Sequence, residues 1–491
     1  MKEILLAAIN AKWIHPSLAL RLLRANLGPL ENRCDIIEFA LRQPLCEKTA
    51  PILAARPRIL GLSVSIWNHL ATLELLKKLR EAWAAVQKPV IILGGPEVSY
   101  LCRESELLQF ADYCVRGEGE IAFRELCEAI LEEDLTQTMP ARAGSSARRG
   151  NDGEILINNK FNTVNVTEIK SGYSLYTDED LSRKLVYVET SRGCPFGCEF
   201  CLSAANAAGD GADGVRVREF PLEPFFPEME DLIQRGAKTF KFLDRTFNLN
   251  IERSVKIMEF FLCKINEQIK QNIKPIVVHF EMVPSRFPHD LICILARFPS
   301  NTLRLEIGIQ TLNPEVSARI GRPSDPEQEL KTLRLLAENT NAIMHVDLIA
   351  GLPGEDAESF GKGFDALWAA FNGRDKRSIE IQLGILKLLP GAPIARHKDS
   401  FGLKFNPLPP YEIIETSSIP ASSLDRIKNF ARFWELIINR GLLDIGPSPV
   451  FDRFMALSDS LLARFGKNWG IAKDELVNTI NNYQLTMRNE E

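Results

Sequence analysis

Three cysteines, Cys194, Cys198 and Cys201, stand together in the middle of the chain with the spacing C-x3-C-x2-C. Three thiolates at this spacing suit an iron-sulfur cube in which one iron stays open for a ligand from outside the protein. A structural zinc ion normally takes a fourth cysteine or histidine at short range, but the next ones here are Cys263 and His279. We therefore predict an iron-sulfur centre. A three-ligand catalytic zinc and a chance group of free thiols are the alternatives.

The amino-terminal part of the chain alternates short apolar runs with amphipathic helical patterns, which predicts a five-strand, doubly wound parallel sheet. Ligands of such sheets bind beyond the carboxyl ends of the strands. Two loops at that edge carry glycines, Gly94-Gly95 and Gly117 with Gly119, which let the backbone approach a ligand closely. The predicted strands are residues 3–8, 35–39, 59–64, 90–93 and 113–115, and the predicted helices are 18–27, 70–83, 104–110 and 120–131.

The same alternation returns after residue 184, and about six strand-helix units predict an open or partial barrel with its site at the carboxyl ends of the strands. Its predicted strands are 185–189, 239–243, 276–280, 303–307, 342–349 and 379–386, and its helices include 224–235, 251–270 and 326–338. After residue 390 the strand patterns fade. We predict a small helical domain there, whose aromatic residues are mostly core: Phe430, Phe433, Trp434, Phe451, Phe454, Phe465 and Trp469.

The chain is therefore interpreted as an α/β protein in four parts. Residues 1–135 form a flavodoxin-like, Rossmann-type domain, 136–182 a linker, 183–395 a partial (β/α)6 barrel of the TIM type, and 396–491 a mostly helical domain. The linker contains a small, basic segment, 141–150, that we interpret as a flexible solvated loop. A nucleic-acid contact is disfavoured because no aromatic residues are interleaved with its charges.

The cysteine segment, Glu189-Thr-Ser-Arg-Gly-Cys194-Pro-Phe-Gly-Cys198-Glu-Phe-Cys201, resembles the radical S-adenosylmethionine (radical SAM) superfamily. The resemblance implies that the three cysteines hold a 4Fe-4S cluster, whose open iron binds S-adenosylmethionine, and that reductive cleavage yields a 5'-deoxyadenosyl radical. Segments at later strand ends are similar to the superfamily in their order along the chain. They imply S-adenosylmethionine contacts from Phe200, Asp244, Thr246, Glu281, Glu306, Gln310, Arg322 and Asp347, with Arg322 pairing with the methionine carboxylate.

Three amino-terminal segments resemble the cobalamin-binding domain that is fused to many radical SAM enzymes. The resemblance implies cobalamin contacts from Ser63, Ser65, Trp67, Asn68, Gly94, Gly95, Glu97, Gly117, Glu118 and Gly119. The Asp-x-His-x-x-Gly motif that supplies an axial histidine in other cobalamin proteins is missing, so we expect cobalamin to bind without a protein imidazole. The carboxyl-terminal third is similar to a subgroup whose last domain has no assigned function.

The resemblance implies an enzyme that uses both cofactors to methylate an unactivated carbon of a small-molecule substrate, with an electron donor such as flavodoxin or ferredoxin. Cobalamin-dependent cyclisation or rearrangement is an alternative outcome. A second hypothesis is a transfer-RNA methylthiotransferase, which needs an extra cluster in the amino-terminal domain. A third is a non-enzymatic cobalamin or redox sensor. The sequence leaves the catalytic residues and the substrate open.

The composition fits a small-molecule enzyme. The chain has 491 residues, 45% of them hydrophobic, and a formal net charge of -5, which gives no broad basic surface for nucleic acid. No apolar run approaches the ~20 residues that span a bilayer. Ten cysteines at this length are too sparse for a secreted disulfide scaffold. We expect a cytoplasmic monomer that does not bind a membrane.

Overall fold

The computed structural model describes residues 2–84, 88–101, 105–132, 161–205, 217–371 and 378–490, and the backbone of 147–149 and 155–157. The chain separates into two compact units, Met1–Arg192 with Arg218–Leu243, and Gly193–Val217 with Asp244–Glu491. These units follow from contacts, whereas the boundaries expected at residues 135, 182 and 395 follow from sequence pattern and remain predictions. Most of the predicted basic loop, 141–146 and residue 150, lies outside the described residues. No described helix is both long and apolar enough to cross a bilayer.

The strands in chain order are β1 (Ile4–Asn10), β2 (Cys34–Ala40), β3 (Ile59–Ser63), β4 (Val90–Gly94), β5 (Tyr113–Val115), β6 (Ala147–Arg149), β7 (Ile155–Ile157), β8 (Val186–Val188), β9 (Ser191–Arg192), β10 (Arg218–Glu219), β11 (Thr239–Phe242), β12 (Val277–Met282), β13 (Leu303–Gln310), β14 (Ile343–Ala350), β15 (Ile379–Ile385), β16 (Lys404–Phe405) and β17 (Ile413–Glu415). The helices are α1 (Leu18–Ala25), α2 (Leu45–Ala55), α3 (His69–Trp83), α4 (Glu120–Glu132), α5 (Asp178–Arg183), α6 (Leu202–Ala205), α7 (Leu222–Gln234), α8 (Ile251–Lys270), α9 (His289–Ala296), α10 (Pro314–Arg319), α11 (Pro326–Asn339), α12 (Ala357–Ala369), α13 (Ala421–Ile437), α14 (Phe451–Phe465) and α15 (Lys473–Glu490).

The main sheet of the first unit has the strand order β2-β1-β3-β4-β5-β6-β7. The five predicted strands are parallel, and β6 and β7 extend the sheet in antiparallel pairing, within the segment that the sequence predicted as linker. Alternate residues of β1 pack into two separate cores. One core contains side chains of α2 and α3, the other side chains of α1 and α4, so helices cover both faces of the sheet. This is the predicted doubly wound arrangement.

The first unit also contains two strands of the predicted barrel. β8 and β11 pair in parallel, and β9 pairs with β10 in antiparallel. Arg21 of α1 connects α5 to the main sheet. Its guanidinium donates to Glu38 of β2 at 2.9 Å and to Asp180 of α5 at 2.8 Å. The charge of Arg21 is almost fully buried, and these two carboxylates compensate it.

The second unit contains four parallel strands in the order β12-β13-β14-β15. Alternate residues of β12 and β13, such as Val278, Phe280 and Leu305, are buried and apolar, whereas the residues between them are polar. One face of this sheet is therefore an apolar core, and the other carries the polar side chains that a site requires.

Helices α13 and α14 pack against α12 through a buried aromatic cluster. Phe364 and Trp434 lie edge to face at 4.7 Å, and Phe430 contacts both Phe451 and Phe454 at 4.9 Å. The predicted core role of these aromatics is correct. Trp469 is different: it is 69% exposed, because it lies in the loop between α14 and α15 rather than on a packed helix face.

Candidate functional site

The three cysteines lie in the loop that joins β9 to α6, as the sequence predicted. Cys198 is 7% exposed, and Cys194 and Cys201 are half-buried. The backbone N–H of Cys201 donates to the carbonyl of Cys198 at 3.0 Å, which curls the loop, and Gly193 has a φ of 95°, a conformation that glycine adopts freely. The loop therefore turns sharply on both sides of its first two cysteines.

Two side chains from other elements reach the cysteine sulfurs. The hydroxyl of Thr246 lies 3.6 Å from Sγ of Cys194, and Nη1 of Arg322 lies 3.8 Å from Sγ of Cys198. Burial raises the pKa of Cys198, the neighbouring thiols add to this, and Arg322 opposes it. The guanidinium thus favours the thiolate that binding to iron requires.

These cysteines fit a four-iron cluster. In such a cube each protein thiolate binds a different iron, so the three sulfurs do not need to meet at one point. Among the described residues no three His, Cys, Asp or Glu side chains converge on a single metal ion. The cysteine loop contains three thiols, and a guanidinium lies close to one of them. This is the donor set of an iron-sulfur centre in which one iron is left for another ligand.

Several predicted S-adenosylmethionine residues surround this loop. Asp244 and Thr246 are buried directly after β11, and Phe200 is half-buried beside Cys201. Arg322 also donates to the carbonyl of Gly308. Gln310 has a φ of 71°, and its side chain folds over Gly308, where an added Cβ would lie 2.4 Å from its Nε2. The structure thus brings Arg322 and Gln310 together at Gly308, and their role toward S-adenosylmethionine remains a prediction.

Glu281, Glu306 and Asp347 lie on the polar face of the second unit's sheet. Glu281 is in register with Glu306, and Glu306 with His345. His345 is in turn in register with Glu380 of β15. One row of titratable side chains therefore crosses four neighbouring strands. The sequence analysis selected Glu281, Glu306 and Asp347 but not His345 or Glu380, although the polar-apolar alternation of β14 and β15 indicates that these residues face the same side.

Hydrogen bonds organise this row. Nε2 of His345 lies 3.0 Å from Nη1 of Arg304, and its Nδ1 lies 3.0 Å from Glu380. Nδ1 of His345 also lies 3.0 Å from Nε2 of Gln382, so three side chains hold this ring in place. Burial would raise the pKa of Glu380, but the hydrogen bond from His345 holds it below the usual value. His279 lies 3.1 Å from Glu306.

Glu355, which follows β14, gives a pH-dependent stability. Its side chain is 2% exposed and accepts from Thr311 at 2.5 Å, and burial raises its pKa to about 7. The folded protein holds this proton more tightly than the unfolded chain, so the carboxyl's contribution to stability is complete below about pH 4.5 and is lost as the pH rises through about 7.

Replacing Glu355 by Gln should therefore leave the free energy of unfolding nearly unchanged at pH 4 and raise it by up to about 3 kcal/mol at pH 8, at about 1.4 kcal/mol per pKa unit. Urea unfolding at both pH values measures the difference. An equal effect at the two pH values would contradict the assignment.

In the first unit, predicted cobalamin residues line the carboxyl edge of the main sheet. Asn68 links the ends of two strands at this edge. Its Nδ2 donates to the carbonyl of Ile9 at 2.8 Å and to that of Ser63 at 3.2 Å. Its Oδ1 accepts from the N–H of Ser65 at 2.8 Å. The side chain of Asn68 is thus used inside the protein. It shapes the loop on which Trp67 stands exposed.

The glycines of this edge permit close backbone packing. Gly95 has a φ of +102°, and an added Cβ would lie 2.5 Å from the carbonyl oxygen of Val64. Ser99 is buried and joins two of the loops, since it donates to the carbonyl of Gly95 and accepts from the N–H of Gly117 at 3.1 Å. The sequence analysis missed Ser99, because a single serine after a glycine loop has no distinctive signal.

Replacing Gly95 by Ala should destabilise the protein by about 1–3 kcal/mol more than replacing Gly236 by Ala. Both glycines have nearly the same backbone angle, with φ of +102° and +101°, but an added Cβ at Gly236 meets no atom within 4 Å. The matched pair therefore separates the clash with Val64 from the strain of a positive φ. Chemical denaturation of both variants checks this, and equal costs would show that the clash relaxes.

Two of the predicted cobalamin carboxylates are engaged within the protein. Glu118 accepts from Arg218 at 2.5 and 2.8 Å and from the N–H of Val164 at 2.7 Å. Burial would raise the pKa of Glu118, but Arg218 and Arg192 hold it below its usual value. Glu97 is 3% exposed and lies 2.7 Å from Nδ1 of His69. Both carboxylates therefore hold the edge loops in place, and direct contact with cobalamin stays a prediction for them.

The same edge exposes apolar surface. Trp13, Ile14, Trp67 and Leu70 are between 41% and 50% exposed, and all four lie in or directly after the loops that follow β1 and β3. Gly94 ends β4, and Gly117 and Gly119 lie in the loop after β5, at the same edge of the sheet. Exposed apolar side chains at an edge that also carries glycine loops are suited to a flat organic ring.

Comparison with protein families gives two matches, each over one part of the chain. Residues 4–127 match the B12 binding domain, and residues 188–367 match the radical SAM superfamily. The chain therefore carries a B12-binding domain followed by a radical SAM domain. The two predicted domain types, and the α/β class with parallel sheets, are confirmed.

Several similar proteins are radical SAM enzymes that depend on cobalamin or have it bound. The cobalamin-dependent radical SAM methyltransferase TokK of Streptomyces tokunonensis is 26% identical over 72% of this chain and 50% of its own length. The chain spans about half the length of the curated methyltransferases that it matches first. Among solved structures, TsrM of Kitasatospora setae, with cobalamin and a [4Fe-4S] cluster bound, has a TM-score of 0.60 at 20% identity and covers 83% of this chain and 81% of TsrM. The cobalamin-dependent S-adenosylmethionine radical enzyme OxsB has a TM-score of 0.66 at 15% identity, over 99% of this chain and 75% of OxsB.

Proposed function

We propose that this protein is a cobalamin-dependent radical SAM enzyme that transfers a methyl group to an unactivated carbon of a small-molecule substrate. The observation that carries the proposal is the cysteine loop of a radical SAM domain preceded, in one chain, by a B12-binding domain. The similarity to TokK, a methyltransferase that depends on both groups, favours methyl transfer over cyclisation or rearrangement.

The cluster would be held by Cys194, Cys198 and Cys201, and with S-adenosylmethionine and an electron donor of the flavodoxin or ferredoxin type it would supply the radical chemistry. The residues of the chain would bind and orient the cluster and S-adenosylmethionine and shield them from solvent. Arg322 favours the thiolate of Cys198 and would pair with the methionine carboxylate, because a guanidinium can donate to both oxygens of a carboxylate. Asp244 and Thr246, buried after β11, offer acceptors for the methionine amino group.

Cobalamin would lie on the carboxyl edge of the first unit's sheet, against Trp67 and the glycine loops. The first unit contains two histidines, His15 and His69. His69 is 10% exposed and bound to Glu97, and Nδ1 of His15 lies 2.7 Å from the hydroxyl of Tyr187. Both imidazoles have partners inside the protein, which supports cobalamin binding without a protein imidazole. His15→Ala and His69→Ala should accordingly leave the EPR spectrum of bound cob(II)alamin unchanged, because neither imidazole would be a cobalt ligand.

The cysteines of the first unit do not support a methylthiotransferase with a second cluster. Cys34, Cys114 and Cys127 are buried within β2, β5 and α4, and burial raises the pKa of Cys34 and of Cys114 to about 12. Cys46 is exposed on α2, and Cys102 lies outside the described residues. A transfer-RNA methylthiotransferase of Bdellovibrio bacteriovorus matches only 50% of this chain at 22% identity.

The test is anaerobic incubation of the reconstituted protein with dithionite and labelled S-adenosylmethionine. We expect 5'-deoxyadenosine, and about one corrinoid per chain after addition of hydroxocobalamin. A protein that never forms 5'-deoxyadenosine under any reducing condition would contradict the radical chemistry, and one that also fails to bind S-adenosylmethionine would fit a cobalamin or redox sensor. A protein that forms 5'-deoxyadenosine and refuses corrinoid would exclude cobalamin-dependent methyl transfer.

A further inference from the structure

Glu199 is a buried acid inside the cysteine loop, between Cys198 and Cys201. Its side chain is 6% exposed, and its two oxygens are bound by consecutive residues from beyond the barrel strands. Nη2 of Arg396 donates to Oε1, and Nε2 of His397 lies 2.8 Å from Oε2. A buried carboxylate whose two oxygens each have a hydrogen-bond partner is fixed in position, since loss of either partner would leave one buried oxygen without its hydrogen bond.

The backbone of Glu199 is fixed as well. Its N–H donates to the carbonyl of Ile320 at 2.9 Å, and its carbonyl accepts from the N–H of Ile394 at 2.9 Å. Gly321 packs so closely that an added Cβ would lie 2.5 Å from the carbonyl oxygen of Gly197. The cysteine loop is therefore held between the turn after α10 and the short 3-10 helix Pro393–His397.

That short helix is itself anchored. The rings of His397 and Phe401 lie edge to face at 5.7 Å, and the guanidinium of Arg319 lies 4.7 Å over the ring of Phe401. Arg319 also donates to the carbonyl of Pro353 at 2.7 Å. The partners of Glu199 thus belong to a packed structure that is independent of the cysteine loop.

The carboxylate of Glu199 is explained by its role as an anchor that holds Arg396 and His397. A carboxylate beside three thiolates opposes the negative charge that a cluster site accumulates, and Arg396 offsets it. A neutral residue would avoid the conflict but would not hold both Arg396 and His397.

We propose that Glu199, held by Arg396 and His397, is a positioning residue that keeps the cysteine loop in the conformation that retains the cluster. The segment Pro393–His397 thereby acts on a cofactor that it does not bind. The proposal rests on the proposed function, because it presupposes a cluster on Cys194, Cys198 and Cys201. Its physical basis is preorganisation: ligands that are already in place bind a metal more tightly and release it more slowly.

The test is the rate at which reconstituted protein loses iron to a chelator, under anaerobic conditions and well below the unfolding temperature. Glu199→Ala and His397→Ala should each lose iron about tenfold faster than the wild type, as outer partners of metal ligands do when removed. Combining the two substitutions should cost much less than the product of the single effects, because both act on one network. Glu199→Gln, which keeps one acceptor oxygen, should fall between Glu199→Ala and the wild type.

The control is Asp365→Ala, which removes the carboxylate that accepts the N–H groups of Val450 and Phe451 at the start of α14. It should lower the unfolding temperature without changing the rate of iron loss. Wild-type rates in Glu199→Ala and His397→Ala, or an equal acceleration in Asp365→Ala, would overturn the proposal. A wild-type protein that takes up no iron and sulfide would instead contradict the proposed function, so the two failures are distinct.

Discussion

Replacement of Cys198 by Ala should abolish the visible absorbance of the iron-sulfur centre and all formation of 5'-deoxyadenosine. Cys198 is the most buried of the three cysteines, at 7% exposed, and Arg322 approaches its sulfur. Without this thiolate two irons of the cube would lack a protein ligand, and the remaining two cysteines could not hold it. Iron and sulfide per chain, measured after anaerobic reconstitution, give the result directly.

The matched control for this experiment is Cys263→Ala. Cys263 is exposed on α8, where its thiol donates to Glu267 at 3.4 Å, a hydrogen bond that raises its pKa. This variant should bind iron and form 5'-deoxyadenosine at wild-type levels. Full iron and absorbance in Cys198→Ala would show that the cluster is held elsewhere, and loss of both in Cys263→Ala would show that reconstitution itself is at fault.

Replacement of Arg192 by Met should destabilise the first unit by about 3–5 kcal/mol. The guanidinium of Arg192 lies 2.7 Å from both Glu120 and Glu189, and its side chain is 13% exposed. Burial opposes the charge of Arg192, but the two carboxylates raise its pKa. Truncation would leave the carboxylates of Glu120 and Glu189 buried and close together without the guanidinium that they share.

Arg183→Met is the control, because Arg183 makes one exposed ion pair, 3.3 Å from Glu179 on the same helix, and should cost less than about 0.5 kcal/mol. Urea unfolding of the metal-free proteins measures both. Removing the stranded charges in Arg192→Met with Glu120→Gln and Glu189→Gln should recover much of the loss. Equal costs for the two single variants would mean that water reaches the Arg192 cluster freely.

The parallel strands and their order along the chain could be predicted from sequence because their signal is local. Apolar runs such as 59–64 and 303–307 lie between helical patterns, and each of the structure's strands there begins where the run begins. β6 and β7 were missed because they lie in a segment whose small, polar and basic composition predicted a linker. α2 was missed because Pro44 and Pro51 argue against a helix in sequence. In the structure Pro44 lies just before the first residue of α2, and Pro51 lies inside the helix.

The cysteines and glycine loops of the site could be predicted because motif spacing survives without knowledge of the fold. The partners of those residues could not. Glu199 meets Arg396 and His397 across 197 and 198 positions of the chain, and Arg192 meets Glu120 across 72. Such pairs depend on tertiary packing, which a single sequence does not encode as a pattern. For the same reason Glu118 and Glu97 stand out in sequence as ligand residues, whereas the structure shows their carboxylates paired with other side chains.

The three hydrogen bonds of Asn68 have a thermodynamic consequence for cofactor binding. They hold Ile9, Ser63 and Ser65 together through hydrogen bonds within the protein. The backbone of these loops is already ordered in the folded protein. The conformational entropy of ordering them is therefore lost on folding, and it does not weaken the binding of a corrinoid at this edge. The affinity of this edge for a corrinoid would then depend mainly on ring contact and desolvation.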